Sequence, residues 1–314
     1  MQCDATYADC DGVVRLCGRS DERTEKVRQF YAAKPFPGYP PRDSWASLRA
    51  RAEQSEFARL LDRAVPGDAT IVEVGCGTGQ MSLFLATADR VVIGADITAA
   101  SLALAARAGR RYEIERALFV ETDLRRPGLR EGAFDVVYCS GVLHHTPDPR
   151  ASFAAVAKLA KAGGIVVLGL YNAWARLPHR LRRAAARLTG YRYVFLDPVL
   201  RDRAAEPERR EAWLRDQYVH PEEHCHTIGE VQRWFRENGV DFLRTYPNAL
   251  IAAEALEGDA LFRAAEDNWW LENWLSQLGW AKTLAHEGGL FVTIGRRLSP
   301  SVSSFGGDPT PLPD

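Results

Sequence analysis

Val72-Glu-Val-Gly-Cys-Gly-Thr-Gly-Gln80 is the stretch from which the fold can be read. Ile71-Val-Glu-Val74 is a β-branched run, which predicts a buried strand. Glycines 75, 77 and 79 follow at once, and Gln80–Thr87 reads as a helix. Glycines between a strand and a helix let backbone N–H groups come close to a ligand. A dinucleotide fold wants its third glycine at position 80, where this chain has Gln80. A P-loop needs Gly-Lys-Ser/Thr, and no lysine stands near.

Working outward, short β-branched runs alternate with helical segments from about Phe57 to Asn172. Strands are predicted at Val91–Ala95, Ala117–Val120, Phe134–Cys139 and Ile165–Leu170, with a helix at Ala99–Ala108. Another helix begins after Asp148, an N-cap, with Pro149 at its first position. Phe153, Val156, Ala157 and Ala160 give it one apolar stripe, and Gly163-Gly164 are expected to end it. Strands apolar on both faces and separated by helices mean a doubly wound α/β parallel sheet. Val240–Tyr246 and Leu290–Gly295 read as two late strands.

The strand ends carry acids. Asp96 stands 21 residues after Gly75, where a carboxylate can accept both hydroxyls of a ribose. Asp123 follows the third strand at the same sheet edge, within reach of an adenine amino group. The fourth strand runs into Cys139-Ser-Gly-Val-Leu-His-His145.

Glu73-Val-Gly-Cys-Gly-Thr-Gly79, Asp96, Asp123, Phe134-Asp-Val-Val137 and Ala162-Gly-Gly-Ile165, in that order, resemble the motif series of class I S-adenosylmethionine-dependent methyltransferases. The nearest group is the small-molecule one that includes the ubiquinone/menaquinone-type enzymes. The resemblance covers roughly residues 57–172 and resumes at the late strands. It implies a Rossmann-like, seven-stranded, mostly parallel sheet with an antiparallel last hairpin and helical lid insertions. It implies S-adenosyl-L-methionine as cofactor and S-adenosyl-L-homocysteine as product. Gly75, Gly77 and Gly79 would cradle the amino-acid end, Asp96 the ribose, and Asp123 with Leu124 the adenine. Glu73, Cys76, Gln80, Ile97 and Ser140 complete the expected cofactor set.

Methyl transfer from a sulfonium is an in-line displacement, so the enzyme chiefly positions nucleophile and methyl. Removing a proton helps a hydroxyl or protonated amine acceptor. His144, His145 and Tyr171, at the ends of the fourth and fifth strands, are candidates for that work, as is His220. Each histidine could equally be a hydrogen-bonded loop residue, and Tyr171 a wall residue. Asn172, Asp216, Tyr218 and His226 are candidate substrate contacts, with Tyr31 and Tyr39 from the proline-aromatic knot near the N-terminus. That knot is either a stiff surface strap or an aromatic cover over the cationic sulfonium.

His220-Pro-Glu-Glu-His224 spells H-x-x-E-H, with Cys225 and His226 beside it. Pro221 keeps His220 out of a helix interior, so no metal is assigned. Thr227 instead reads as a helix cap, with Glu230 completing a capping box. The segment also resembles lid sequences of bacterial methyltransferases. Cys3, Cys10 and Cys17 recur every seven residues in a polar region expected to be disordered. Trp270, Trp274 and Leu278 fall on one helical stripe. The arginines between Arg176 and Arg192 read as a solvated face, with anion binding the alternative.

Three divisions follow: an N-terminal arm over 1–56, partly disordered and able to cover the cofactor; a methyltransferase domain over 57–298, with insertions near 173–230 and 247–288; and a disordered tail over 299–314. Composition narrows the function. The 314 residues are 46% hydrophobic and 26% charged, ordinary for a globular protein with a full core. Net charge is −1, with 40 basic against 41 acidic residues and so no basic excess, and nucleic acid is not favoured. No stretch reaches the roughly 20 apolar residues of a membrane span. The six cysteines read as reduced thiols of a cytoplasmic protein, monomeric or homodimeric. The expected partner is a small-molecule substrate. An RNA methyltransferase is the alternative, although Ser140-Gly-Val-Leu stands where Asn/Asp-Pro-Pro-Tyr/Phe would be expected. A non-catalytic S-adenosylmethionine-binding module is another. An aminopropyl transferase is disfavoured, because Cys139-Ser140-Gly141 replaces the acids that group typically adds.

Overall fold

The strand that leads into the glycine loop lies in the middle of the sheet, so one turn organises the whole site. The computed structural model describes residues 9–16, 21–33, 35, 43–190, 197, 200, 211, 213–219, 222–248, 258–265, 270–283 and 289–299. Strand β3 (Thr70–Val74) pairs in parallel with β4 (Val91–Asp96) on one side and β6 (Phe134–Ser140) on the other. Strand β5 (Ala117–Glu121) lies outside β4, and β7 (Ala160–Tyr171) outside β6. Strand β9 (Leu290–Arg297) runs antiparallel to β7, and β8 (Val240–Tyr246) antiparallel to β9. Those seven strands are the expected sheet.

Two short strands extend it to nine. Strand β2 (Val13–Arg15) adds in parallel to β5, with Val13 opposite Phe119, and β1 (Asp9–Cys10) folds back on β2. Cys10 therefore stands in a strand, against the expected disorder. Val13 is buried with Leu102 and Phe119, but the run around it is too short and polar to show a period.

The parallel strands bury both faces. Val72, Val74, Val137, Cys139, Val166 and Leu168 pack toward α6 (Pro149–Ala157) and α8 (Ile228–Glu237). Ile71, Val136, Tyr138, Ile165 and Val167 pack toward α3 (Glu56–Ala64). Helices α4 (Gln80–Leu85) and α5 (Ala99–Arg111) follow β3 and β4. The crossover reverses direction between β4 and β6, with β3 between them, and a doubly wound sheet opens its crevice at such a point.

Helix α6 begins as expected, Asp148 accepting the Ala151 N–H at 3.0 Å. Its end is corrected: it stops at Ala157, and Ala160 already belongs to β7. The glycines serve the sheet. Phe134 pairs with Ala160 and Val136 with Ile165, so β7 must absorb extra residues, and Gly163 does so at φ +77°. Helix α4 also stops short of Thr87; Ala88 leaves it at φ +53°.

Outside the core lie α1 (Glu22–Ala33), α2 (Trp45–Glu53), α7 (Leu177–Leu188), a π-helical turn (Arg215–Val219) and α9 (Trp270–Thr283). On α9 it is Trp280, not Trp274, that enters the core, 6.0 Å from Phe291. Trp274 lies exposed against Trp174. Tyr39, His220, the tail beyond 299 and most of the 247–288 insertion's first half lie outside the described residues, as do the side chains of Asp216 and Trp270.

Candidate active site

A cavity of about 580 Å³ opens where β3, β4, β5, β6 and β7 end. One half is built on the glycine loop. Gly75 has φ +76°, and a Cβ there would stand 2.2 Å from a methyl of Val142. Only glycine accepts both that backbone and that approach. The N–H groups of Gly75 and Cys76 donate to the Ala95 carbonyl at 2.7 and 3.1 Å, which fixes the loop on β4. Gly77 donates its N–H to one oxygen of Asp96 at 2.9 Å, and Thr98 donates to the other at 2.8 Å. A carboxylate has about four acceptor positions, so capacity remains for ligand hydroxyls.

Gly79 does not line the cavity; a Cβ there would meet Phe119 at 2.6 Å and Ala105 at 2.8 Å. Its absence of a side chain lets the turn pack against β5 and α5.

Glu73 and Asp96 both line this half, and among the described residues no basic side chain pairs with either. Burial pushes the Glu73 carboxyl up to about 7, against a close hydrogen bond from the Ser82 hydroxyl; the Asp96 charge raises it further. Burial raises Asp96 as well. Two carboxylates without a basic partner, Glu73 buried and Asp96 half-buried, fit a ligand that brings a cation and hydroxyls. Cys76, Gln80, Ile97, Asp123, Leu124 and Ser140 line the same half. Asp123 is engaged: Arg125 donates to it from its backbone at 3.0 Å and from its guanidinium at 3.3 Å. Arg125 also reaches Asp21 at 2.5 Å and Thr24 at 2.9 Å. Through that arginine, helix α1 docks over the cavity, where Thr24, Val27 and Tyr31 form part of the wall.

The other half holds His145, Thr146, Pro147, Tyr171, Trp213, Gln217 and Leu290. His145 Nδ1 lies 2.8 Å from the Glu222 carbonyl. A carbonyl accepts, so Nδ1 carries the proton and Nε2 the lone pair. Burial lowers the His145 pKa to about 4. Gln217 donates to the Tyr171 hydroxyl at 2.7 Å. The Tyr171 ring lies between His144, with centroids 3.9 Å apart, and the Arg176 guanidinium, 3.8 Å from its centre.

Arg176 departs from the solvated-face expectation. It is fully buried, donates to Gln217 at 2.5 Å and grips both oxygens of Glu223 at 3.2 and 3.1 Å. Arg183 adds a bond to Glu223 at 2.6 Å. The arginines hold Glu223 below the ordinary carboxylate range although burial opposes them.

Several expected contacts stand behind the wall. His144 is fully buried and outside the cavity. The Asn172 amide oxygen accepts the N–H groups of Trp174 and Ala175 at 3.0 and 3.1 Å, and its nitrogen donates to Gln277, so it caps a turn. Tyr218 donates to Asp197 at 2.6 Å from a buried position. His226 faces Glu230 at 3.1 Å; Thr227 accepts the Glu230 N–H, and the Glu230 carboxylate also takes a hydrogen bond from the Thr227 backbone, as the expected capping box requires. These three do not line the cavity. Among the described residues no cluster of three His, Cys, Asp or Glu is placed to hold a metal. Gln217 and Trp213 escaped the sequence reading. Gln217 stands between the chosen Asp216 and Tyr218, and no spacing reveals that a π-helical turn aims the middle residue inward.

Residues 72–168 match the family described as a methyltransferase domain. An uncharacterized protein of Synechococcus sp. is 31% identical over 261 residues, covering 71% of this chain and 60% of that protein. A ubiquinone biosynthesis O-methyltransferase of Cronobacter sakazakii is 35% identical over 102 residues, covering 32% of this chain and 42% of the relative. The chain thus spans less than two thirds of these curated relatives. The structure of a magnesium protoporphyrin IX methyltransferase from Synechocystis superposes with a TM-score of 0.51 at 15% identity, over 88% of this chain and all of that one. Motif order, sheet order and these matches agree: the chain carries a methyltransferase domain of the class I S-adenosylmethionine-dependent family.

Proposed function

We propose that the protein transfers a methyl group from S-adenosylmethionine to an uncharged small-molecule acceptor. One observation carries the reading: a single cavity has unneutralised Glu73 and Asp96 at one end and a neutral histidine, His145, at the other. The relative named for ubiquinone biosynthesis supports an acceptor of that kind.

S-adenosylmethionine, when bound, supplies an electrophilic methyl on a cationic sulfur. Glu73 faces that ligand's positive charge, and Asp96 accepts from its ribose hydroxyls. Gly75 and Gly77 let the loop backbone approach. The α1 wall and the lid residues Trp213 and Gln217 exclude water. His145 accepts a hydrogen bond at Nε2 from an acceptor O–H or N–H and takes the proton the acceptor must lose. Tyr171, its hydroxyl held by Gln217, orients the acceptor.

The test uses methyl-labelled S-adenosylmethionine with purified protein and a lysate separated into small molecules, RNA and protein. Label is expected in the small molecules, and Asp96→Ala is expected to weaken cofactor binding at least about 100-fold. Label in RNA alone would overturn the acceptor assignment. Unchanged cofactor affinity in Asp96→Ala would overturn the site.

A further inference from the structure

Helix α7 has two faces of opposite character. His179 and Ala186 are buried. On the other side Leu177, Leu181 and Leu188 are 45%, 65% and 89% exposed, and the exposed Ala184 and Ala185 fill the stripe between them. The spacing i, i+4, i+7, i+8, i+11 makes one continuous apolar strip that faces away from the protein. The strip has a neighbour. Trp174, three residues before Leu177, packs edge-on at 6.2 Å against Trp274 of α9, which is exposed together with Leu275.

The charge is one-sided as well. Between Leu177 and Leu188 stand Arg180, Arg182, Arg183 and Arg187, and no acid. Arg183 is engaged with Glu223. Arg180 and Arg187 are exposed along one edge of the leucine strip. A helix with apolar residues on one face and arginines beside them lies in the plane of a membrane interface.

We propose that α7 is a membrane-surface helix, by which the protein docks on an anionic phospholipid bilayer without crossing it. Among the described residues no helix is long and apolar enough to span. The alternatives fit the same face less well. A second copy related by two-fold symmetry sets this patch against itself, arginine against arginine with no acid on the helix to pair them. An RNA backbone matches the arginines but leaves the leucines in water. Anionic headgroups over acyl chains match both. The docking also has a geometric consequence. Arg176 precedes α7 directly and holds Gln217 of the cavity wall, so the bilayer would lie against the lid of the acceptor end.

The test is co-sedimentation of the full chain with vesicles of phosphatidylglycerol and phosphatidylcholine at 1:1, and of phosphatidylcholine alone. Binding is expected to the anionic vesicles and to weaken as NaCl is raised. Leu181→Ser/Leu188→Ser is expected to weaken it about tenfold or more. Arg180→Glu/Arg187→Glu is expected to weaken it by about fivefold or more per charge. Both pairs are solvent-exposed, and an unchanged melting temperature and cofactor affinity would show that the fold persists. Failure to bind anionic vesicles, or binding by either variant undiminished from that of the unsubstituted protein, would overturn the proposal. A dimer that Leu181→Ser/Leu188→Ser dissociates would assign the face to a second copy and overturn it too. So would arginine-dependent RNA retention indifferent to the leucines.

Discussion

The carbonyl of Glu222 accepts the Nδ1–H of His145 at 2.8 Å. The carboxylate of the same Glu222 is gripped by Arg23 of α1 at 2.9 and 2.8 Å. One residue therefore sets the histidine's tautomer with its backbone and ties the covering helix with its side chain. His145 is held neutral by burial, its pKa lowered from 6.5 to about 4. Turnover should not fall through an ordinary histidine titration between pH 7 and 5.5. It should fall only as pH nears 4. Label-transfer rates against pH at saturating S-adenosylmethionine check this, and a wild-type midpoint near 6.5 under those conditions would contradict it. His145→Ala should cut turnover about 100-fold or more while cofactor affinity stays within a few-fold.

Glu73 gives the cofactor half its own pH signature. Its carboxyl is raised from 4.5 to about 7 by burial. A raised acid favours folding below its unfolded pKa, and that contribution is lost as pH rises through 7. A cationic ligand reverses the preference by stabilising the ionised form. Binding of S-adenosylmethionine near pH 7 should therefore release a proton. Calorimetry in buffers of different ionisation enthalpy would show it, and Glu73→Gln should abolish the buffer dependence.

Gly75 and Gly141 separate strain from space. Both have positive φ, +76° and +77°, but a Cβ at 75 meets Val142 and one at 141 meets nothing within 4 Å. Gly141→Ala should cost only the left-handed penalty, about 1–2 kcal/mol. Gly75→Ala should cost that plus about 1–3 kcal/mol of overpacking, with lost cofactor affinity. As read by thermal melts, Gly75→Ala/Val142→Ala should recover only part of the overpacking cost, because a Cβ at 75 still stands 2.8 Å from the Cβ of residue 142.

The buried pair Arg176–Glu223 should be costly to break. With Arg176 fully buried, Glu223→Gln removes its counter-charge and should destabilise the protein by about 3–5 kcal/mol. Arg176→Met with Glu223→Gln together should cost less than Glu223→Gln alone. Denaturant midpoints of the three variants decide.

The core and the loop were legible in the sequence because their signals are local. The run Ile71–Val74 and the glycines lie in one turn, and Asp96 stands at a strand end that β-branched residues announce. The misplaced residues depend on long-range geometry. Gly163-Gly164 look like a helix stop but relieve a mismatch of register with Phe134. Asn172 and Tyr218 look like pocket residues, yet Gln277 and Asp197, both far along the chain, occupy them. Arg176 looks like surface charge because its partner Glu223 stands 47 residues away.

The two-strand extension at β5 has a consequence for solubility. Without β2, the inner strand β5 would present a bare row of N–H and C=O groups to other molecules. With it, the outermost described strand is β1, two residues long, followed by a turn at Asp11 with φ +59°. Such a stub is a poor template for another chain. The Arg15–Glu121 ion pair at 3.0 Å and the bond from Arg110 to the Asp11 carbonyl at 2.8 Å pin it down. Removing residues 9–15 should therefore show itself first as aggregation on concentration, before any loss of the parallel core.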